Sequence, residues 1–208
     1  MRRWLAVLML PLAASAQSSE TQHVLEAGLR LTPKLDLILH ARMRTRPGES
    51  GIYQARGGPI LDYNVTPKVS LLGGYYLSDQ KQSGQAGWDH SNRAFGGAEI
   101  DAWRHRLFTA DWRSLAERFW GGPDSFFRFR TRLRVVGTMR VAPAGSVETF
   151  FDVRGWRSTR YSGTVEVKLG HGFTFEAGYF HEPRRDEGLR HMVQSSLRWR
   201  SPRRQLSP

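Results

Sequence analysis

Residues 126–141 read FFRFRTRLRVVGTMRV, in which arginine alternates with an apolar residue or threonine from Arg128 to Arg134. Successive side chains of an extended strand point to opposite faces of a sheet. This stretch therefore places its arginines on one face and residues such as Phe129 and Leu133 on the other. The pattern predicts a β-strand in a sheet that has a charged side and an apolar side.

We expect the apolar side of this sheet to contact lipid. An arginine on the lipid-facing side of a membrane strand costs about 2–4 kcal/mol near the bilayer midplane. A one-residue shift of this strand would turn four arginines outward, at a combined cost of roughly 8–16 kcal/mol. The arginines should therefore face an enclosed interior, and the apolar residues should face outward.

Alternation of this kind recurs along the chain and predicts eleven strands, whereas no convincing helix of three turns is found. The predicted strands are residues 24–31, 35–45, 61–65, 69–77, 95–103, 107–117, 126–141, 147–156, 160–169, 173–181 and 191–199. The sequence Thr-Pro-Lys occurs between strands at residues 32–34 and again at 66–68. This small repeat indicates two tight turns of the same kind, with φ preset by proline.

The predicted connections alternate between short and long. Short turns are predicted at 32–34, 66–68, 104–106, 142–146 and 170–172, and longer polar loops at 46–57, 78–93, 118–125, 155–159 and 182–190. Outer-membrane barrels have short periplasmic turns and longer external loops. The predicted fold is all-β: an up-and-down antiparallel transmembrane β-barrel of about ten to twelve strands. It would span residues 17–200, with 201–208 as a C-terminal tail.

The first 16 residues have the features of a secretory signal peptide. Arg2 and Arg3 are followed by an apolar stretch at 4–12 and by the small residues Ala14-Ser15-Ala16. This stretch is too short to be a transmembrane helix, which needs about 20 residues. The predicted location of the mature protein is the outer membrane of a Gram-negative bacterium.

Composition limits the classes of partner. The chain has 31 Lys and Arg against 19 Asp and Glu, a formal net charge of +12, and no cysteine that could form a disulfide. A mean hydropathy of −0.50 is compatible with a barrel, because polar lumen residues alternate with lipid-facing ones. Export argues against a nucleic-acid partner. The expected partners are outer-membrane lipids and lipopolysaccharide, and also small anionic solutes if the lumen is open; the oligomeric state is not predicted.

Aromatic residues on the apolar faces form two predicted bands. The residues expected near the long loops are Tyr75, Phe127, Phe129, Tyr161 and Tyr179, and those near the short turns are Trp103, Phe173 and Trp199. Two aromatic bands that flank aliphatic residues are typical of barrels in a bilayer, at its two interfaces. The alternative is that aromatic residues are simply common in strands.

The charged faces predict a polar lumen. The candidate lumen residues are Arg42, Arg44, Asp111, Arg113, Glu117, Arg128, Arg130, Arg132, Arg134, Glu148, Asp152 and Arg154. Two interpretations are open: a structural network of cross-strand charge pairs, which we favour, or a small pore whose arginines attract anions.

No catalytic residue, metal site or cofactor is predicted, and the protein is not expected to be an enzyme. His90-Ser91-Asn92 resembles the His-x-Ser-Asn motif of outer-membrane lipid A deacylases but lacks the intervening residue. On a strand, His90 and Ser91 would point to opposite faces. His191 and Ser195 share a face, but they would be separated by roughly 13 Å. The seven histidines show no metal-ligand spacing.

The chain resembles an uncharacterised family of bacterial outer-membrane barrels, a domain of unknown function. The residues that carry the resemblance are 61–63, 66–68 and 74–76 in the first hairpins, and Arg104-His105-Arg106-Leu107, 115–119, 129–134 and Leu197-Arg198-Trp199-Arg200 further on. The resemblance implies a barrel in the outer membrane and no established activity. Two other functions stay open: a soluble periplasmic β-sandwich or lipid-binding barrel, and a barrel enzyme that modifies lipid A.

Overall fold

The computed structural model describes residues 20–48, 51–81, 87–122 and 125–201, which contain eleven β-strands. The strands are β1 (Glu20–Thr32), β2 (Leu35–Thr45), β3 (Ile52–Thr66), β4 (Val69–Gln80), β5 (Asp89–Arg104), β6 (Phe108–Trp120), β7 (Phe126–Gly137), β8 (Val141–Asp152), β9 (Gly155–Gly170), β10 (Phe173–Arg184) and β11 (Gly188–Arg200). Within these described ranges, no helix is long and apolar enough to cross a membrane. The predicted signal peptide, residues 1–16, and residues 202–208 of the predicted tail lie outside the described residues.

The eleven strands form one closed barrel in which each strand pairs with its neighbours in sequence. These sequential pairs are antiparallel, but β1 and β11 pair in parallel, from Glu20 opposite Met192 to Gly28 opposite Arg200. Because strand direction alternates along a meander, a first and an eleventh strand run the same way. The predicted barrel is confirmed, whereas antiparallel pairing throughout is wrong at this one seam. The β-sandwich alternative is also wrong.

The connections between strands define two ends of the barrel. The turn end has the connections 33–34, 67–68, 105–107, 138–140 and 171–172, and the loop end has 46–51, 81–88, 121–125, 153–154 and 185–187. The strands extend further toward the loop end than predicted, so the loops at 155–159 and 182–190 are replaced by connections as short as turns. Strands of up to 16 residues exceed the roughly 9–11 that span a bilayer.

The Thr-Pro-Lys repeat forms tight turns, as predicted. Thr32 Oγ1 accepts hydrogen bonds from the backbone N–H groups of Lys34 and Leu35 at 3.3 and 3.0 Å. Thr66 repeats this arrangement at the β3–β4 turn. A threonine hydroxyl that binds the backbone two and three residues ahead holds the chain in a turn before the next strand begins.

The predicted turn at 142–146 is wrong. β7 ends at Gly137 and β8 begins at Val141, so residues 138–140 form the connection. Pro143 lies within β8, next to Ala144, which is opposite Val136 in the last register pair of the β7–β8 ladder. Proline is tolerated at this position because the ladder between β7 and β8 has already ended there.

The two faces of the barrel wall have opposite polarity. Outward-facing leucines such as Leu25, Leu39 and Leu133 are each about half exposed, at 49%, 50% and 51%. Inward-facing residues include Glu117 and Arg93, which are almost fully buried. The buried core of this protein is therefore its lumen, and the core is rich in charge.

Candidate functional site

Glu117 on β6 is a buried carboxylate that three arginines contact. Its Oε2 accepts a hydrogen bond from Arg128 Nε at 2.6 Å, and its Oε1 lies 2.8 Å from Arg130 Nε. Arg93, on the neighbouring strand β5, also forms a buried ion pair with Oε1. The three arginines converge because β5 and β7 flank β6 and all four residues have inward-facing side chains.

Glu148 on β8 extends this network to the next strands along the barrel wall. It lies 3.1 Å from Arg130, 3.4 Å from Arg160 and 3.7 Å from Arg113. Arg130 thus bridges Glu117 and Glu148. Arg160 also binds Glu182 on β10 at 2.7 Å, so one continuous charge network joins strands β5 to β10.

A second network lies nearer the turn end. Arg134 is 3.1 Å from both Glu166 and Glu176, and Arg198 is 2.6 and 2.9 Å from the same two carboxylates. These alternating charges neutralise one another within hydrogen-bonding distance, which is the condition under which buried ions are tolerated. This network ties β7 to the last three strands.

Aromatic rings face into the lumen near the loop end and stack with the arginines. The guanidinium of Arg128 lies 4.8 Å from the centre of the Phe119 ring and 5.0 Å from that of Phe150. Arg160 lies 5.2 Å from Phe150 and 4.4 Å from Phe180. A cation over an aromatic face is attracted by the ring quadrupole, most strongly away from water. We call Phe95, Phe119, Phe150, Phe180 and Tyr76 the inner aromatic layer.

Sequence reasoning missed the inner aromatic layer, because it assigned every aromatic band to the apolar outer face. A signal was present in adjacent aromatic pairs, since two neighbouring strand residues must face opposite sides. In Phe150-Phe151 the first ring is buried in the lumen and the second is exposed outside. Tyr75-Tyr76 shows the same division.

The lumen is filled at the loop end and more open at the turn end. Near the loop end, Phe150 is 3% exposed, and Phe180 and Met192 are completely buried. Near the turn end, the Glu99 and Asp111 side chains are 35% and 18% exposed. A cavity of about 370 Å³ extends from this side of the lumen to Arg42 and Arg56 and to Tyr76 and Phe95 of the inner aromatic layer.

The chain matches one known protein family over most of its length. Residues 24–193 match the family model described as "Protein of unknown function (DUF2490)". The chain belongs to this family. The match covers β2 to β10 completely, and with them the whole Glu117–Glu148 charge network of the DUF2490 barrel; in the second network, Arg198 lies beyond the matched residues. A search of curated proteins finds no match. The predicted membership of an uncharacterised family is therefore correct.

Most of the predicted lumen residues of the DUF2490 barrel lie on its wall and make contacts in the interior. These residues are Arg42, Arg44, Asp111, Arg113, Glu117, Arg128, Arg130, Arg132, Arg134, Glu148 and, at the loop-end rim, Asp152. Arg154 is different: it lies in the β8–β9 turn, where its largely exposed side chain pairs with Asp186 at 2.9 Å. A hydrogen bond from Arg185 to Asp152 closes the same rim and raises the pKa of Arg185.

The predicted interface aromatics of the DUF2490 barrel all occupy outward positions. Tyr75, Trp103, Phe127, Phe129, Tyr161 and Phe173 are exposed, and Tyr179 and Trp199 are partly exposed. Trp112 is a further outward aromatic that sequence reasoning missed. Its indole N–H donates a hydrogen bond to Thr131 Oγ1 at 2.6 Å. The Thr131 hydroxyl therefore has a hydrogen-bond partner on the apolar face.

The candidate catalytic histidines and serines form hydrogen bonds with residues on neighbouring strands. His90 Nδ1 is hydrogen-bonded to Asp79 at 2.6 Å, while Ser91 donates to the carbonyl of Ser78. Ser195 is hydrogen-bonded to His23 at 2.8 Å across the β1–β11 seam, whereas His191 contacts Tyr179. Across the part of the chain that the structure describes, no group of three His, Asp or Glu residues is arranged to hold a metal ion.

Proposed function

We propose that this protein is an integral outer-membrane β-barrel whose lumen is blocked by its own arginine, carboxylate and aromatic side chains. Its role would be structural rather than enzymatic or conducting. The observation that carries the proposal is the reversed polarity of the barrel wall: exposed aliphatic residues cover the outside, and buried ion pairs fill the inside.

The outer surface supports a lipid environment. Leu25 and Leu39 are outward-facing residues on paired strands, and Leu71 and Leu133 continue this surface around the barrel. Soluble monomers rarely expose contiguous apolar patches larger than a few hundred Å². A bilayer removes this surface from water without requiring a partner protein.

The interior argues against a soluble lipid carrier. A barrel that carries lipid needs an apolar cavity for acyl chains. Here the cavity is bordered by charged residues, among them Arg56, Arg132 and Glu148. The apolar residues that could contact an acyl chain are mainly on the outside.

The loop-end half of the lumen argues against an open pore. Within the inner aromatic layer and the Glu117 network, Glu117, Phe150 and Phe180 are exposed by 3% or less. Opening a path for ions would require several ion pairs and cation–π contacts to break together. We therefore expect no steady conductance from the folded protein.

The test combines membrane fractionation, gel mobility and electrical recording. The full chain, produced in a Gram-negative host, should fractionate with the outer membrane, and unboiled protein should migrate differently from boiled protein. Purified barrel in planar bilayers should show no conductance steps. A chain that is soluble and monomeric without detergent would disprove the membrane proposal, and regular conductance steps would disprove the blocked lumen.

A further inference from the structure

Two arginines of the lumen differ from those in the charge networks. Arg42 on β2 and Arg56 on β3 are opposite each other in the β2–β3 register. Arg42 donates to the neutral Gln54 side chain at 2.6 Å, and the Arg56 guanidinium lies 4.7 Å from the centre of the Tyr76 ring. Among the residues that the structure describes, neither has a carboxylate within ion-pairing distance.

This arrangement concentrates positive charge on the β2–β3 part of the lumen wall. Like charges directly opposite each other on one face of a sheet repel. Arg44, the next inward residue of β2, adds a third cation, and its partner Gln22 is also neutral. The Nε atoms of Arg42 and Arg56 are buried and have no hydrogen-bond partner among the described residues, a feature that they share with several arginines of the charge networks. Buried polar groups without partners are costly, so a partner is expected.

The cavity provides space for that partner. Its volume is about 370 Å³, and Arg42, Arg56 and His40 line one side of it. Arg130 and Arg160 border the same space, although both are already bound to carboxylates. Guanidinium groups present planar N–H forks that match the oxygens of phosphate and carboxylate ligands.

We propose that Arg42 and Arg56 form a binding site for a small soluble oxyanion of the phosphate class, reached from the turn end of the lumen. The barrel wall separates this site from the outer surface, so the anion would come from the aqueous phase rather than from a lipid headgroup. This site adds a ligand to the proposed function. It rests on that function because the barrel wall must separate the lumen from the surrounding lipid. It assigns the blocked barrel a ligand rather than a transport activity.

The experiment is isothermal titration calorimetry with inorganic phosphate on full-length barrel refolded in zwitterionic detergent and phosphate-free buffer. Saturable binding is expected for the wild type, with competition by sulfate. Arg42→Gln combined with Arg56→Gln should weaken binding by about tenfold or more, the loss expected from one strong charge-assisted hydrogen bond. Arg30→Gln is the matched control, because Arg30 pairs with Asp36 at 2.9 Å.

A second variant keeps the test decisive if the double variant does not fold. Gln54→Glu would place a carboxylate beside Arg42 and compete with the anion from within the protein. This variant should fold and lose phosphate binding. Folded wild type that binds no phosphate, or equal binding by wild type and Gln54→Glu, would overturn the anion site. Neither result would affect the membrane proposal, because gel mobility and fractionation are measured separately.

Discussion

Arg130 Nη1 and Glu148 Oε1 lie 3.1 Å apart inside the barrel, and the pair joins β7 to β8 at the centre of the charge network. Arg113 and Arg160 contact the same carboxylate from β6 and β9. One glutamate therefore contacts arginines from three strands. Its removal would leave Arg113 without the carboxylate that it contacts, and it would take one of two carboxylates from both Arg130 and Arg160.

Glu148→Gln should destabilise the barrel strongly. Breaking a buried ion pair by removing one partner costs about 3–5 kcal/mol, because the remaining charge is left uncompensated. Reversible unfolding by urea or guanidinium in lipid vesicles, followed by tryptophan fluorescence, measures this change. Asp36→Asn is the control: its pair with Arg30 is more exposed, so the loss should be at most about 1 kcal/mol. Equal losses in both variants would contradict the central role of Glu148.

Gly74→Ala should destabilise the barrel by overpacking its lumen. A Cβ atom at Gly74 would collide with the ring of Phe95, which belongs to the inner aromatic layer. Overpacking of this kind costs about 1–3 kcal/mol. Gly73→Ala is a matched control one residue away, since a Cβ there would have no neighbour within 4 Å. Unfolding midpoints of the two variants should therefore differ, and identical midpoints would show that the ring of Phe95 moves freely.

Leu133→Arg should impair insertion into lipid vesicles. Leu133 faces outward from the middle of β7, where an arginine costs about 2–4 kcal/mol in a bilayer. Leu107→Arg, in the β5–β6 turn at the barrel end, should cost only about 0–1 kcal/mol because it lies near an interface. The folded fraction on an unboiled gel gives the comparison. A soluble barrel would tolerate both substitutions alike.

Phe150→Ala combined with Phe180→Ala should open the loop-end half of the lumen. Both rings are almost fully buried, and Arg160 lies over each of them. Their loss should produce small conductance steps in planar bilayers, with a preference for anions because arginines line the path. Phe151→Ala is the matched control on the outer face, and this variant should show no conductance steps. A double variant that folds normally and shows no conductance steps would indicate that the charge network alone blocks the lumen.

Alternation along the chain was sufficient to predict which side chains share a face. The four arginines of β7 lie inside the barrel, and Phe127, Phe129 and Leu133 lie outside, as the pattern requires. The two Thr-Pro-Lys turns could also be predicted from the sequence, because proline and the threonine hydroxyl act on the backbone within three residues. The turn predicted at 142–146 failed because whether Pro143 disturbs a ladder depends on where the neighbouring strand ends.

The amino-acid sequence by itself determined the strands, their two faces and the charge of the interior, since these follow from local geometry with a period of two. Only the tertiary structure decided the parallel β1–β11 seam and which carboxylate each arginine binds. It also decided that Arg42 and Arg56 contact no carboxylate among the described residues. These features depend on closure and on register between strands, so residues as distant as Arg134 and Glu176 become neighbours only when the barrel is complete.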